Sequence, residues 1–332
     1  MRFSSHTEHA TEPNWETASE EDIYYCYRLI LNREPDPDGW ITYTSAIKSG
    51  TSVQSLVASF LNSVEFRNRQ LDQENVRSTI QLIELDGFKI FVPSQDSPVA
   101  RAIIEAHQYE PHITAVIRRV LKPGMVFVDV GANIGYLSLI AALEVGKSGK
   151  VISFEPSQFF CKLLYMSAKG NGLSNIEIYP FAVADQRKTV IYDETHGNGI
   201  ISQFDVNLES IASRHIVPAL RLDDVLRDEE SVNLIKMDVE GAEYLVLRGS
   251  ENILKSHRPI IISEFSPAGL RSVSGVSDQD FLNELINAGY DISILEFDHQ
   301  LIECEDNIEK VLRRFDKRDT SHIDLLMIPK SK

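Results

Sequence analysis

Residues 125–139 read MVFVDVGANIGYLSL, and this stretch decides the fold. Met125 to Val130 form a short apolar run interrupted near its end by one acidic residue, Asp129. The turn Gly131-Ala132-Asn133-Ile134-Gly135 follows, and LSLIAAL continues as a helix. A strand, a glycine-rich turn and a helix open a doubly wound α/β sheet, and such a turn lets the main chain approach a nucleotide-like ligand. The ligand is not a dinucleotide: that turn reads G-x-G-x-x-G, whereas here Asn133 replaces the second glycine and the third is misplaced. A phosphate-cradling G-x-x-x-x-G-K-[ST] is also absent from the sequence.

Downstream, short apolar runs alternate with helical stretches: KVISFEP from Lys150, IEIYPFAV from Ile176, VNLIKMDV from Val232, PIIISEF from Pro259, DISILEF from Asp291 and IDLLMIP from Ile323. Helix-length segments separate MVFVDV and the first four of these runs from one another, as crossovers between parallel strands require. The expectation is a mostly parallel sheet of about seven strands. Upstream, IQLIELDGFKIFVP reads as a β-hairpin turning at Asp86-Gly87. A single helix from about Val99 to Leu121 should follow, stopped by Lys122-Pro123-Gly124.

The N-terminal quarter has a different period. Residues 1–20 are polar and read as a disordered leader. Residues 21–72 carry apolar positions at helical spacing, Tyr24, Tyr27 and Leu31, then Leu56, Val57, Phe60 and Leu61, which indicate about three short helices in a small all-α domain. Asp36 is expected to cap a helix begun at Pro37, and Thr51 or Ser52 a second one after Gly50. The intervening REPDPDGW imitates an EF-hand opening, but its prolines intrude and no Glu closes the loop. Residues 78–332 are left as the α/β domain.

The 332 residues include 33 basic and 49 acidic ones, a net charge of −16. That balance opposes nucleic-acid binding, which needs a basic face, and docking on an anionic membrane surface. No apolar run approaches the roughly 20 residues of a membrane span, and the first 22 residues lack a signal-peptide core. Cys26, Cys161 and Cys304 show no metal-ligand spacing. A cytoplasmic enzyme acting on a small molecule or glycan is the expectation, with no metal among its site residues. Protein partners would engage residues 21–72.

Ligands of open α/β sheets bind outside the carboxyl ends of the strands. That rule places Asp129, Glu155, Asp238 and Glu264 on one rim. Glu155 stands 26 positions after Asp129, close to the spacing of about 20 residues at which an acidic residue takes ribose hydroxyls in Rossmann-like folds. Asp238, Glu240 and Glu243 crowd the end of the fourth strand, where mutual repulsion would raise a carboxyl pKa and create a base. His215 and His257 read as solvated or core histidines, and His196 sits in an HGNG loop on the acceptor side.

DVGANIG resembles the first motif of class I methyltransferases, which use S-adenosylmethionine. With Asn133 in it, the motif is similar to that of the FkbM methyltransferase family. QYEPHITAVIRRVLKPGMVFVDVGANIGYLSL, FEPS, AVADQ, LRLDDVL and LIKMDVEGAEYLVLRG resemble the family pattern in order, over about 250 residues from Gln81 to the C-terminus. The resemblance implies a Rossmann-like sheet and S-adenosylmethionine as cofactor. It implies a cofactor site made of Glu110, Asp129, Gly131, Asn133, Gly135, Tyr136, Glu155, Pro156, Ser157, Ala182, Val183 and Asp238, with Phe181 beside the adenine, and Asp238, Glu240 and Glu264 as catalytic residues. The stretch from Tyr27 to Phe66 resembles a bacterial domain of unknown function related to phycobilisome linkers and found beside surface-carbohydrate enzymes. The implied reaction is O-methylation of a sugar, glycan or glycolipid. N-methylation of an amino sugar or small amine, and an inactive cofactor-binding scaffold, are the alternatives.

Overall fold

A computed structural model describes residues 17–31, 33–66, 80–94, 97–195, 198–202 and 214–331. The chain divides into two compact units, Met1–Arg77 and Ser78–Lys332.

The first unit is helical. Its first helix, Glu20–Tyr25, opens with a capping box between Ser19 and Asp22 and runs on as a π-helical turn, Cys26–Ile30. Ala18 is already buried, so ordered structure begins before residue 21. Residues 1–16, the rest of the expected leader, lie outside the described residues. Asp36 accepts from the Gly39 N–H at 2.8 Å and caps Pro37–Lys48. Ser52 rather than Thr51 caps Val53–Leu61. Tyr27, Tyr43 and Phe60 form the unit's aromatic centre, with Tyr43 stacked on Phe60 at 4.3 Å.

The second unit begins with the expected hairpin, β1 (Ile80–Leu85) and β2 (Phe88–Pro93). The outer edge of β2 is satisfied by a helix: Lys89 and Phe91 donate main-chain N–H groups to Asn171 Oδ1 and Ser167 Oγ. These residues belong to Gln158–Gly170 and its cap. The segment expected as one helix forms two, Pro98–Ala106 and Pro111–Val120. Pro111 has no N–H to continue a ladder and disfavours helical backbone at the residue before it. His107 and Glu110 accordingly adopt left-handed φ values of 54° and 43°.

The main sheet has eight strands. Five are parallel: β3 (Val126–Val130), β4 (Lys150–Phe154), β5 (Ile176–Tyr179), β10 (Leu234–Met237) and β11 (Ile260–Phe265). β12 (Tyr290–Leu295), β13 (Leu301–Glu305) and β14 (Ile323–Pro329) complete it, with β14 antiparallel between β11 and β12. Their order is β13-β12-β14-β11-β10-β3-β4-β5. Apolar layers cover both faces, one including Ile103, Ile117 and Ile140 and the other Val246, Phe281 and Leu285. The helix Tyr136–Val145 is buried on nearly every side, hence its lack of a polar stripe.

A second sheet was not anticipated. IEIYPFAV breaks after Tyr179, because Pro180 cannot donate to a ladder, and its end becomes β6 (Ala182–Val183). β6 pairs with β9 (His215–Leu220), which joins β7 (Lys188–Thr195) and then β8 (Asn198–Ser202). This four-stranded sheet stands over the end of β4. Among the described residues, no helix is long and apolar enough to cross a membrane.

Candidate active site

A cleft of about 270 Å³ opens outside the carboxyl ends of β3, β4, β10 and β11. Glu110, Asp129, Gly131, Asn133, Tyr136, Glu155, Pro156, Phe181, Ala182, Val183, Asp238, Glu240 and Glu264 line it. Gly135 and Ser157 stand behind its wall. A Cβ on Gly135 would lie 2.2 Å from Leu164 Cδ1, so its role there is packing. Ser157 caps the helix Gln158–Gly170 and donates its N–H to Glu155. Neither therefore touches the cleft directly, as the motif reading had placed them. His215 and His257 lie away from it, and His196 is outside the described residues.

The glycine-rich turn is shaped by two close approaches. A Cβ on Gly131 would sit 1.9 Å from the Asp238 carbonyl oxygen, so only glycine lets β3 and β10 end side by side. Asn133 adopts φ 51°, a left-handed conformation that Asn tolerates better than most residues. Its N–H then points at Glu155 Oε2, 2.8 Å away. Glu155 is only 4% exposed; its Oε1 accepts from Ser157 N–H at 2.8 Å and from the Tyr192 hydroxyl at 3.3 Å.

Asp129 lies deeper than expected. It is fully buried, and Ser138 donates to its Oδ2 at 2.5 Å. Burial raises its pKa, while Lys236 and Ser138 oppose the rise. Lys236 is the residue that motif reasoning missed. Its Nζ donates to the Gly131 carbonyl and to Asp238 Oδ2, both at 3.2 Å, and lies 3.9 Å from Asp129 Oδ1. Burial works against this ammonium, yet Asp238, Asp129 and Glu110 outweigh it and raise its pKa. The lysine thus ties the cofactor turn to the end of β10. A lysine inside an otherwise apolar buried strand, LIKM, was the available signal, since lysines are almost never buried unpaired.

Burial pushes the Glu110 carboxyl up to about 8 and leaves its Oε2 without a hydrogen-bond partner; Asp129 Oδ1 also lacks one. A cationic ligand beside these two oxygens would favour the charged form of Glu110 and be held by both carboxylates. Glu243 is fully buried beneath the β10 turn, where its Oε1 accepts from Val239 and Gly241 N–H groups. It braces that turn instead of facing an acceptor.

Asp238, Glu240 and Glu264 converge, with one oxygen of each within 4.8 Å of the others. Such proximity is relieved either by a hard cation bridging the oxygens or by a proton kept on one of them. The strand-end rule had placed Asp238 and Glu264 on one rim with Glu240 beside Asp238, and the three do lie together. Burial pushes Glu264 up to about 10, with repulsion from Asp238, Glu243 and Glu240 added. Glu264 therefore holds its proton at neutrality and presents a donor to the cleft. His322, 41% exposed at its side chain, stands 3.9 Å from Glu264 and also lines the cleft.

A carboxyl pKa raised in the folded state has a definite sign. Its stabilising contribution is complete below the ordinary 4.5 and is lost as pH climbs toward about 10. Within that window the fold retains a proton that the unfolded chain releases, which costs about 1.4 kcal/mol per pH unit. Glu264→Gln should therefore gain in melting temperature over the wild type progressively from pH 6 to pH 9. Parallel melting curves would contradict the assignment.

Residues 129–292 match the family model described as the methyltransferase FkbM domain, and residues 2–70 match a domain of unknown function, DUF4214. Over residues 129–292 the chain is thus similar to FkbM methyltransferases. It is 25% identical to methyltransferase sdnD of Sordaria araneosa, over 59% of this chain and 86% of that protein. Among solved structures it is similar to an FkbM methyltransferase from Methylobacillus flagellatus KT, with 15% identity, a TM-score of 0.38 and coverage of 91% of this chain and 58% of that one. An S-adenosylmethionine-dependent O-methyltransferase from Thermotoga maritima gives 14% identity and a TM-score of 0.38, over 74% of this chain and 75% of that one. S-adenosylmethionine is the cofactor, and a cleft walled by carboxylates is compatible with its sulfonium and ammonium groups.

Proposed function

We propose that this methyltransferase acts on a hydroxyl of a sugar, glycan or glycolipid. When bound, S-adenosylmethionine supplies a methyl group activated by its sulfonium. Glu155 would hold the ribose hydroxyls, with Phe181, Ala182 and Val183 beside the adenine. Glu110, Asp129 and Asp238 would favour the cationic methionine end.

The observation that carries the O-methylation reading is the setting of Asp238. Its carboxylate is 24% exposed at the cleft and anchored by Lys236, with Glu240 and Glu264 alongside. An alcohol must lose a proton as it is methylated, and a carboxylate within hydrogen-bond reach can take it. The neutral Glu264 carboxyl can donate to a second oxygen of the same acceptor, which fits a polyhydroxylated molecule better than a simple amine. The remaining requirement is to hold the acceptor oxygen about 3 Å from the methyl carbon and exclude water.

The test is to incubate the purified protein with methyl-radiolabelled S-adenosylmethionine and separated lipid, polysaccharide and small-amine fractions of cells. Label is expected in a carbohydrate-bearing fraction. Label confined to the amines would overturn the proposal.

A further inference from the structure

Glu155 accepts main-chain N–H groups on both oxygens, from Asn133 at Oε2 and from Ser157 at Oε1. The Tyr192 hydroxyl donates to Oε1 as well. A carboxylate offers about four acceptor positions, two on each oxygen. Oε1 is therefore filled. A vicinal diol gripped by one carboxylate needs an acceptor position on each oxygen. One donor on Oε1 must give way before the ribose can be held in that manner.

The two main-chain donors are fixed in place. Ser157 is the cap of Gln158–Gly170, with its own side chain accepting from Phe160 N–H, and Asn133 is set by the left-handed turn. Tyr192 is the side-chain donor, and its bond is the longest of the three at 3.3 Å. We infer that the Tyr192 hydroxyl is a placeholder for one ribose hydroxyl of the cofactor, occupying Glu155 Oε1 until the ribose displaces it. The inference rests on Glu155 being the ribose carboxylate.

The second sheet is built to bring this hydroxyl to Glu155. Tyr192 lies on β7 and is only 2% exposed. It pairs across to Ile201 on β8, which makes Gly199 its diagonal neighbour. A Cβ at Gly199 would lie 1.9 Å from the Tyr192 hydroxyl oxygen and 2.1 Å from its ring carbons. The absent side chain lets the ring lie along β8 and extend toward Glu155. A buried carboxylate short of donors is costly, and the hydroxyl offsets that cost while the ribose is elsewhere. The ribose hydroxyl taken by Oε1 then only replaces the Tyr192 hydrogen bond, and its contribution is reduced by that exchange. The two hydroxyls contribute unequally to affinity for that reason.

The experiment titrates S-adenosylhomocysteine and its 2′-deoxy and 3′-deoxy analogues into the full chain and into Tyr192→Phe, by calorimetry. Phenylalanine keeps the ring over Gly199 and removes only the donor. In the wild type, one deoxy analogue should bind within about threefold of S-adenosylhomocysteine and the other at least about tenfold more weakly. Tyr192→Phe should bind S-adenosylhomocysteine at least about threefold more tightly, and both analogues should then be at least about tenfold weaker than it. A variant that binds S-adenosylhomocysteine no better than the wild type overturns the inference. So do equal losses for the two analogues in the wild type, a result that needs no variant to fold. Glu155→Ala separates the two levels: unchanged affinity there removes the ribose reading itself. Lost affinity there, combined with a failed Tyr192→Phe result, removes only the placeholder.

Discussion

Glu155→Ala should abolish cofactor binding, with the affinity for S-adenosylhomocysteine expected to fall by at least about 100-fold, the loss of two hydrogen bonds to a charged acceptor. The carboxylate is 4% exposed at the end of β4 and reaches into the cleft between the glycine-rich turn and the second sheet. Its removal has two consequences in addition to the lost ribose contacts. The Asn133 and Ser157 N–H groups lose their common acceptor, and the turn that carries Gly131 loses its brace. Glu155→Gln keeps one acceptor oxygen and should fall between the wild type and the alanine variant. Calorimetric titration checks both, and an alanine variant with wild-type affinity would remove Glu155 from the cofactor site.

Asp238→Asn should lower kcat by about 10²–10⁴-fold, the range over which a positioned base contributes. Asparagine preserves the shape and retains an oxygen for Lys236 Nζ, which lies 3.2 Å from the aspartate. The turn and the cofactor affinity should therefore change far less than the rate. Steady-state kinetics with the cofactor saturating isolates the effect. An unaffected kcat would mean that the acceptor needs no base, which is the behaviour of an amine, and would transfer the reaction from oxygen to nitrogen.

The cleft's framework was legible because parallel strands bury both faces and read as continuous apolar runs. Asp129, Glu155, Asp238 and Glu264 each close such a run, and the strand-end rule was enough to bring them to one rim. The depth at which each sits was not legible. Whether Asp129 meets a ligand openly or under the turn depends on Ser138, a helical serine nine residues away. The second sheet escaped notice because β6 has two residues and β7 and β9 follow a proline break. Tyr192 was hidden with it, since its importance depends on Gly199 of the neighbouring strand. The helix break at Glu110 was readable from Pro111 alone, as the pre-proline restriction is local. Lys236 was present within the most telling motif, and its type in a buried strand was sufficient warning. The closeness of Asp238, Glu240 and Glu264 on that rim joins two strands and a left-handed turn at Glu240, a distance that no linear spacing expresses.

In the proposed reaction the cleft delivers a methyl group to a carbohydrate hydroxyl with Asp238 as the base. The chemical position of the transferred methyl decides it, obtained by hydrolysing the product formed with methyl-deuterated S-adenosylmethionine and analysing its sugars by mass spectrometry. A deuterated methyl ether on a sugar is expected, formed by the wild type and depleted at least about 100-fold with Asp238→Asn. A deuterated N-methyl group, or an ether formed equally by both proteins, would contradict it.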